Sequence, residues 1–189
     1  MIFSEAPLPG AMLIEIERRA DSRGSFARVW CRREFADHGI DVEFVQASVS
    51  SNARSGTLRG LHFQPEPLAE AKLVRCSRGR IHDVVLDLRA GSDTFGQWFT
   101  VELDAAAGRM VYIPRGFAHG FQTLADDCEV SYMISEVHRP GVGRGVRYDD
   151  PQLAIPWPLP VSAISDQDRA WPSLREIART LGPVPVAMP

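Results

Sequence analysis

Two segments of the chain each place one histidine inside an apolar run and beside glycines. Residues 59–64 read RGLHFQ and residues 114–121 read PRGFAHGF, which gives His62 and His119 these positions. Histidine titrates near neutrality and is the side chain that enzymes most often use to move protons. Because a single buried histidine is more often a hydrogen-bonded core residue, each one alone also fits a structural role. Together, in a chain of short strands, they predict a pocket with proton-transfer chemistry.

The elements that must position these histidines are short strands. Apolar or alternating runs follow one another along most of the chain and are broken by Gly, Pro, Asp and Asn. We predict strands at residues 11–17, 26–31, 43–49, 57–63, 71–76, 80–88, 97–103, 109–113, 117–123, 128–134 and 144–148. Many short strands at close spacing predict an all-β fold, either a sandwich or a barrel. In one of them, Cys128, Val130, Tyr132 and Ile134 share a face.

Helical signals are sparse and confined to two short segments. Residues 32–38 predict one short helix. Ser173 and Glu176 have the spacing of a capping box and open an apolar stripe, which predicts a second helix. Residues 182–189 are rich in proline and predict a loose tail, so residues 1–181 are expected to form a single domain.

The composition is that of an ordinary soluble globular protein. Hydrophobic residues make up 44% of the chain and charged residues 24%, which allows a substantial core. The net charge of −3 and the lack of a long basic run argue against nucleic acid as the main partner, although a local basic pocket can still hold an anion. The sequence shows neither a signal peptide nor an apolar stretch long enough to cross a membrane, so no membrane partner is expected.

The cysteines are few and widely spaced. Cys31, Cys76 and Cys128 form no CxxC pair and no Cys/His cluster, which argues against structural zinc. Free thiols of this kind fit a reducing cytoplasm, and we expect the protein there.

The spacing of Gly108, Pro114, Gly116 and His119 resembles the second motif of the cupin superfamily, whose members are double-stranded β-helix (jelly-roll) barrels. In that motif Pro and Gly make a tight turn, and the next strand carries the histidine toward the barrel interior. Many cupins also bind a metal through a first motif with His-x-His and a downstream Glu. Here residues 62–64 read HFQ, and because Phe cannot ligate and Gln replaces imidazole poorly, the sequence predicts no catalytic metal.

The same segments, with others in order along the chain, resemble the dTDP-4-dehydrorhamnose 3,5-epimerase family, which acts on nucleotide-linked 4-keto sugars. The resemblance runs from about residue 10 to about residue 174. Its landmarks are DSRGSF at 21–26, FVQ at 44–46, LRGLHFQ at 58–64, AKLV at 71–74, DVVLDLR at 83–89, SDTFG at 92–96, IPRGFAHGF at 113–121, Tyr132, DDP at 149–151 and SDQD at 165–168. The resemblance implies a jelly-roll barrel with short peripheral helices, an isomerase without a cofactor, and a homodimer.

The family's reaction needs a base, a group that stabilises an enolate, and an acid on the opposite face, because a C–H beside a ketone is a weak acid. The resemblance implies His62 as the base, oriented by Asp168. Lys72, with Arg59, would stabilise negative charge on the C4 oxygen of the sugar. Tyr132 would return a proton from the opposite face.

Further residues would line the site or hold the substrate. In this set the resemblance places His119, Gln46, Ser48, Arg28 and His138. It also implies that Arg23 and Phe26 reach the site of the neighbouring subunit.

Several of these residues have structural alternatives. Lys72 also fits a solvated strand lysine, Tyr132 a core residue with a satisfied hydroxyl, and Asp168 a turn residue. Asp83 and Asp87 share one face of a strand, so either they face solvent or Asp83 supports the site.

Arg59 poses a geometric problem. Strict alternation along a strand puts Arg59 on the face opposite His62. A bulge at Gly60 would bring both side chains inward.

The chain departs from the family pattern mainly where the family holds its substrate. Arg28 stands where the family has Glu, Ala47 and Ser48 where it has an acid and Asn, His138 where it has Tyr, Gly143 where it has Glu, and Gln167 where it has Lys. Such changes in charge and in hydrogen-bonding groups discriminate strongly between ligands. They predict weak turnover of dTDP-4-keto-6-deoxyglucose and better turnover of another nucleotide sugar.

The sequence thus predicts a cofactor-independent epimerase of a nucleotide-diphospho-4-keto-6-deoxy sugar, acting at C3, C5 or both. The alternatives are a single-centre C3 epimerase or ketoisomerase-like relative on a non-dTDP sugar, a non-catalytic sugar-nucleotide-binding cupin, and a metal-dependent cupin dioxygenase.

Overall fold

A computed structural model describes residues 1–181, which form two antiparallel sheets packed face to face. The first sheet has six strands in the order β1 (Ile2–Glu5), β2 (Met12–Glu15), β10 (Arg109–Ile113), β7 (Lys72–Arg78), β12 (Cys128–Ile134) and β5 (Gln46–Asn52). The second has five, in the order β13 (Arg144–Gly145), β6 (Leu58–Phe63), β11 (Phe117–Thr123), β8 (Arg80–Asp87) and β9 (Trp98–Asp104). Because the chain crosses repeatedly between the sheets, the fold is a jelly roll, as the sequence predicts.

The main core lies between the two sheets. Alternate residues of β7 and β12, among them Val74 and Val130, meet Val85 and Phe121 from the second sheet, and all four are nearly inaccessible to solvent. The second sheet is also covered on its outer face, where Leu61, Val84, Leu86, Ala118, Leu174 and Ile177 form another cluster. Burial on both faces explains why β11 is buried along its whole length.

Three short helices lie outside the sheets: α1 (Arg32–Ala36), α2 (Asp166–Arg169) and α3 (Leu174–Ala178). The predicted capping box is present at α3, where the Ser173 hydroxyl accepts from the Glu176 amide and the Ser173 amide donates to the Glu176 carboxylate. The single turn of α2 was not predicted. Among the described residues, no helix is long and apolar enough to cross a membrane. The tail predicted for residues 182–189 lies outside the described residues.

The predicted strands agree with the structure best in the second half of the chain. Those at 109–113, 117–123 and 128–134 match β10, β11 and β12 residue for residue. The strand predicted at 26–31 is wrong, because residues 27–31 have no regular structure. Instead an exposed hairpin of β3 (Arg19–Asp21) and β4 (Gly24–Phe26) precedes this segment, and its three-residue strands are too short and too exposed to show an apolar alternation.

Candidate active site

A cavity of about 730 Å³ opens between the two sheets. Strands β6 and β11 supply one wall, and β5, β7 and β12 supply the other. Of the residues that the sequence predicts for the site, the cavity is lined by His62, Lys72, Tyr132, Arg59, His119, Gln46, Ser48 and His138. The barrel therefore brings together side chains from five separate strands and from the segment after β12.

His62 forms a close pair with Asp168, which comes from α2. The His62 Nε2 atom lies 2.6 Å from Asp168 Oδ1, and the Gly60 amide donates to Oδ2 at 3.3 Å. Burial raises the pKa of Asp168, but the hydrogen bond and charge of His62, together with the hydrogen bonds from the Gly60 amide and the Trp171 indole, hold the pKa below its usual value. Asp168 is 5% exposed, so a solvent-facing turn role does not apply. An ionised Asp168 fixes the ring and leaves Nδ1 of His62 to exchange protons with a ligand.

A β-bulge puts Arg59 beside His62 in the cavity. His62 pairs with His119 and Arg59 pairs with Phe121, so β6 carries one more residue than β11 between the two pairs. At the bulge Gly60 has φ +131°, and a Cβ there would lie 2.5 Å from the Gly120 Cα. Only glycine fits this close approach. The sequence left open a bulge at Gly60 that would bring both side chains inward, and the structure has this bulge.

Lys72 is 7% exposed and ion-paired, so it is not a solvated strand lysine. Its Nζ lies 3.0 Å from Glu70 Oε1 and 3.4 Å from the His62 carbonyl oxygen. The Gln64 side-chain amide donates to the other Glu70 oxygen. Sequence reasoning missed Glu70, although its position two residues before Lys72, on the same side of an extended chain, was an available signal.

Tyr132 faces the cavity from the opposite sheet. Its ring centroid lies 6.0 Å from that of His119, and His119 Nε2 lies 2.7 Å from Asp83 Oδ2. Burial, and then the charge of Asp83, raise the pKa of the Tyr132 hydroxyl against a smaller opposing effect of Arg59. The hydroxyl therefore stays protonated near neutral pH, as a proton donor must be, while the raised pKa also makes it a weaker acid. Asp83 is fully buried, which favours the site-supporting alternative over a solvent-facing one.

Polar residues at the end of β5 and after β12 also line the cavity. The His138 amide donates to Gln46 Oε1 at 2.9 Å, and the Gln46 side-chain amide lies 3.4 Å from the Ser48 hydroxyl. Gly143 and Gln167 line the same region. Trp171 also lines the cavity, and no motif in the sequence pointed to it.

Three residues predicted to hold the substrate lie away from the cavity within this subunit. Arg28 pairs with Glu34 at 2.6 Å, and Arg23 pairs with Asp21 at 2.6 Å. Phe26 is 75% exposed. The β3–β4 hairpin that carries Arg23 and Phe26 pairs with no other described strand, and none of its residues lines the cavity. None of the three lines the cavity of its own subunit, and for Arg23 and Phe26 the prediction concerns the site of the neighbouring subunit.

The two cavity histidines are each held by a carboxylate. Across residues 1–181, no group of three His, Cys, Asp or Glu side chains converges in a way that would hold a metal ion. The described site thus offers acid–base groups and hydrogen-bond donors.

Comparison with known proteins identifies close relatives along nearly the whole chain. Residues 5–176 match the family model described as dTDP-4-dehydrorhamnose 3,5-epimerase. An enzyme of that name from Methanothermobacter thermautotrophicus is 45% identical over 177 residues, which cover 92% of this chain and 95% of the relative. A dTDP-4-dehydrorhamnose 3-epimerase from Streptomyces niveus is 38% identical, with 94% and 86% covered. The crystal structure of the Bacillus anthracis 3,5-epimerase, with TDP and PPi bound, superposes with a TM-score of 0.89 at 40% identity, covering 91% of this chain and 98% of that one.

Proposed function

Since the chain belongs to the dTDP-4-dehydrorhamnose 3,5-epimerase family, we propose that His62 and Tyr132 epimerise a dTDP-linked 4-keto-6-deoxy sugar at C3 and C5. The enzyme is an isomerase that acts on carbohydrates. One observation carries the assignment of residues: a His–Asp pair and a protonated tyrosine face one cavity from opposite sheets. Such an arrangement can remove a proton from one face of a carbon and deliver one to the other.

The first step is removal of the proton beside the ketone. Nδ1 of His62 takes the proton, and the charge of Asp168 stabilises the resulting imidazolium. The C–H electron pair moves into the enolate, whose oxygen would be held by Lys72 with Arg59. Tyr132 then donates its hydroxyl proton to the same carbon from the other side. Exchange with solvent returns His62 to its neutral form and Tyr132 to its protonated form.

The relatives do not favour the sequence-based expectation of a sugar nucleotide other than a dTDP sugar. Those described above are named for dTDP-linked sugars, and the Bacillus anthracis structure holds TDP. Of the residues that motivated the expectation, Arg28 lies outside the cavity and Ala47 lines a separate groove. We therefore propose dTDP-4-keto-6-deoxyglucose as the substrate, with Ser48, His138 and Gln167 among the residues that line its pocket.

The direct test follows deuterium uptake at C3 and C5 of dTDP-4-keto-6-deoxyglucose in D₂O by NMR. The His62→Ala variant should lose exchange at both carbons by at least about 100-fold, because the base is gone. His38→Ala removes an exposed histidine that stacks on Phe3 and serves as the control, with exchange expected to be normal. Near-normal exchange in His62→Ala would remove His62 from its role. Binding without exchange in the wild type would instead identify a non-catalytic binding protein.

We further propose that two copies of the chain associate through the outer face of the six-stranded sheet. A groove of about 320 Å³ there is lined by apolar residues that include Val29, Leu73 and Met133. Val29 is 38% exposed and Val49 is 61% exposed, and exposed apolar surface of this kind usually marks an interface. In such a dimer the exposed hairpin with Arg23 and Phe26 is free to reach a partner.

Sedimentation of the wild type should give twice the mass of one chain. Val29→Glu places a charge in the groove and should shift the equilibrium to monomers, whereas Val137→Glu, at a position that is 55% exposed outside the groove, should not. A wild type that sediments as a monomer at micromolar concentration would rule the dimer out.

We also propose that residues 1–181 act as one domain and that the protein works in the cytoplasm. The two sheets share one core, which supports a single domain. Cys31, Cys76 and Cys128 are all free thiols, which supports a reducing compartment.

A further inference from the structure

Trp171 shares the carboxylate oxygen that holds His62. Its indole Nε1 donates to Asp168 Oδ1 at 3.0 Å, and His62 Nε2 lies 2.6 Å from that same oxygen. The two rings meet nearly edge to face, with centroids 6.3 Å apart and planes at 74°. One oxygen of the Asp168 carboxylate is therefore hydrogen-bonded to two ring nitrogens, Nε1 of Trp171 and Nε2 of His62.

The surrounding backbone is shaped to keep the indole in this place. Gly145 pairs with His62 across β13 and β6, and a Cβ on Gly145 would lie 2.5 Å from three indole atoms. The Arg147 amide donates to the Pro172 carbonyl at 3.0 Å and fixes the chain directly after Trp171. Because Gly145 has no side chain, the Trp171 indole can occupy this space.

We propose that Trp171 is a positioning residue that sets the orientation and the charge of Asp168, and through Asp168 the basicity of His62. This inference rests on the proposed role of His62 as the base. The indole N–H anchors the carboxylate and takes up part of its negative charge. Without it, the Asp168 carboxylate keeps only the Gly60 amide and His62 as partners, so it is held less firmly and more of its charge is available to hold a proton on His62.

Other charged groups around the pair are unchanged when Trp171 alone is altered. The titratable and charged residues that line the same cavity are Arg59, Glu70, Lys72, His119, Tyr132, Glu136, His138 and Arg144, and Asp166 and Arg169 lie on α2 itself. A change in pH dependence on substitution of Trp171 is therefore traceable to the lost N–H.

Trp171→Phe keeps a ring in the space and removes only the donor. We expect kcat to fall about tenfold with KM within about twofold, since a loosened base slows proton transfer more than binding. The acid limb of the kcat/KM profile should move up by roughly half a pH unit. Trp157→Phe is the matched control, because its indole donates to the Tyr148 carbonyl at 2.9 Å and does not line the cavity. It should leave kcat and the acid limb unchanged.

Three outcomes would overturn the inference: an unchanged kcat and pH profile in Trp171→Phe, a change in KM alone, or the same changes in Trp157→Phe. If Trp171→Phe fails to fold, a benzothienyl analogue at position 171, which replaces the N–H by sulfur at nearly constant shape, gives the same readouts. The result with His62→Ala separates this inference from the proposed function. An active His62→Ala rejects both, whereas an inactive His62→Ala with a wild-type Trp171→Phe rejects only the role of Trp171.

Discussion

At the scale of single residues, His62 and Tyr132 lie in different environments that suit them to opposite directions of proton transfer. His62 is 43% exposed beside an ionised carboxylate, so it can accept a proton from a ligand. Tyr132 is held protonated by burial and by the nearby Asp83, so it can give one. When the surroundings of two groups give them different proton affinities, one group can act as the acid and the other as the base.

Tyr132→Phe should separate exchange from inversion. The ring and its packing remain, and only the donor hydroxyl is lost, so His62 can still form the enolate. We expect substrate protons to exchange with D₂O with retention of configuration, while inversion falls by about 100-fold or more. NMR of the recovered sugar measures both quantities in one sample. If exchange and inversion fall together, Tyr132 is needed before deprotonation or is structural.

At the scale of elements, the contact between β6 and β11 sets the geometry of the site. The bulge at Gly60 puts Arg59 and His62 on one side, and Gly120 lets the two backbones approach. The segment before α2 is joined to the same strand, since the Leu58 amide donates to the Ala163 carbonyl at 2.8 Å. One strand therefore carries His62 and anchors the segment that brings Asp168 to it.

Gly60→Ala should disrupt this arrangement. The new Cβ would meet the Gly120 Cα at 2.5 Å in a conformation with positive φ, so the strands must separate. We expect a loss of about 2 kcal/mol or more in the free energy of unfolding, measured in urea, together with loss of activity. Gly91→Ala is the control, because Gly91 also has a positive φ of +80° but nothing lies within 4 Å of its Cβ position. An equal effect of both substitutions would mean that the strain in φ alone is responsible.

Sequence reasoning succeeded where local patterns decide structure and failed where distant segments meet. β10 to β12 were predicted because buried runs between Gly and Pro turns are local signals. A bulge at Gly60 was raised as a possible solution because strand alternation and the family motif conflicted there. Glu70 and Trp171 were not singled out as site residues, because their contacts with Lys72 and Asp168 matter only once β6, β7 and α2 come together.

At the scale of the whole molecule, buried carboxylates make the stability of the fold depend on pH. Asp87 is fully buried and accepts hydrogen bonds from Arg89, Ser92 and Thr94. Burial raises the pKa of Asp87, but these hydrogen bonds together lower it below its usual 3.8. The ionised carboxylate therefore stabilises the fold above that pH, and the contribution is lost as the pH falls through the lower folded value.

Thermal unfolding between pH 6 and pH 2 should show this dependence. We expect Tm to fall steeply below about pH 4 in the wild type. Asp87→Asn should lower Tm at pH 6 and flatten the decline, because the ionisable group is gone. Asp149→Asn breaks only an exposed pair with Arg147 and should leave the decline nearly intact. If Tm declines with falling pH in Asp87→Asn as it does in the wild type, the decline is caused by other carboxylates.

The position of Asp168 in the chain also orders events during synthesis. Asp168 follows His62 by 106 residues and comes after every strand of both sheets. While the ribosome still holds the segment after β13, the strands can already pair, yet His62 has no carboxylate beside it. The described strands of both sheets are therefore synthesised before the residue that completes the His62–Asp168 pair.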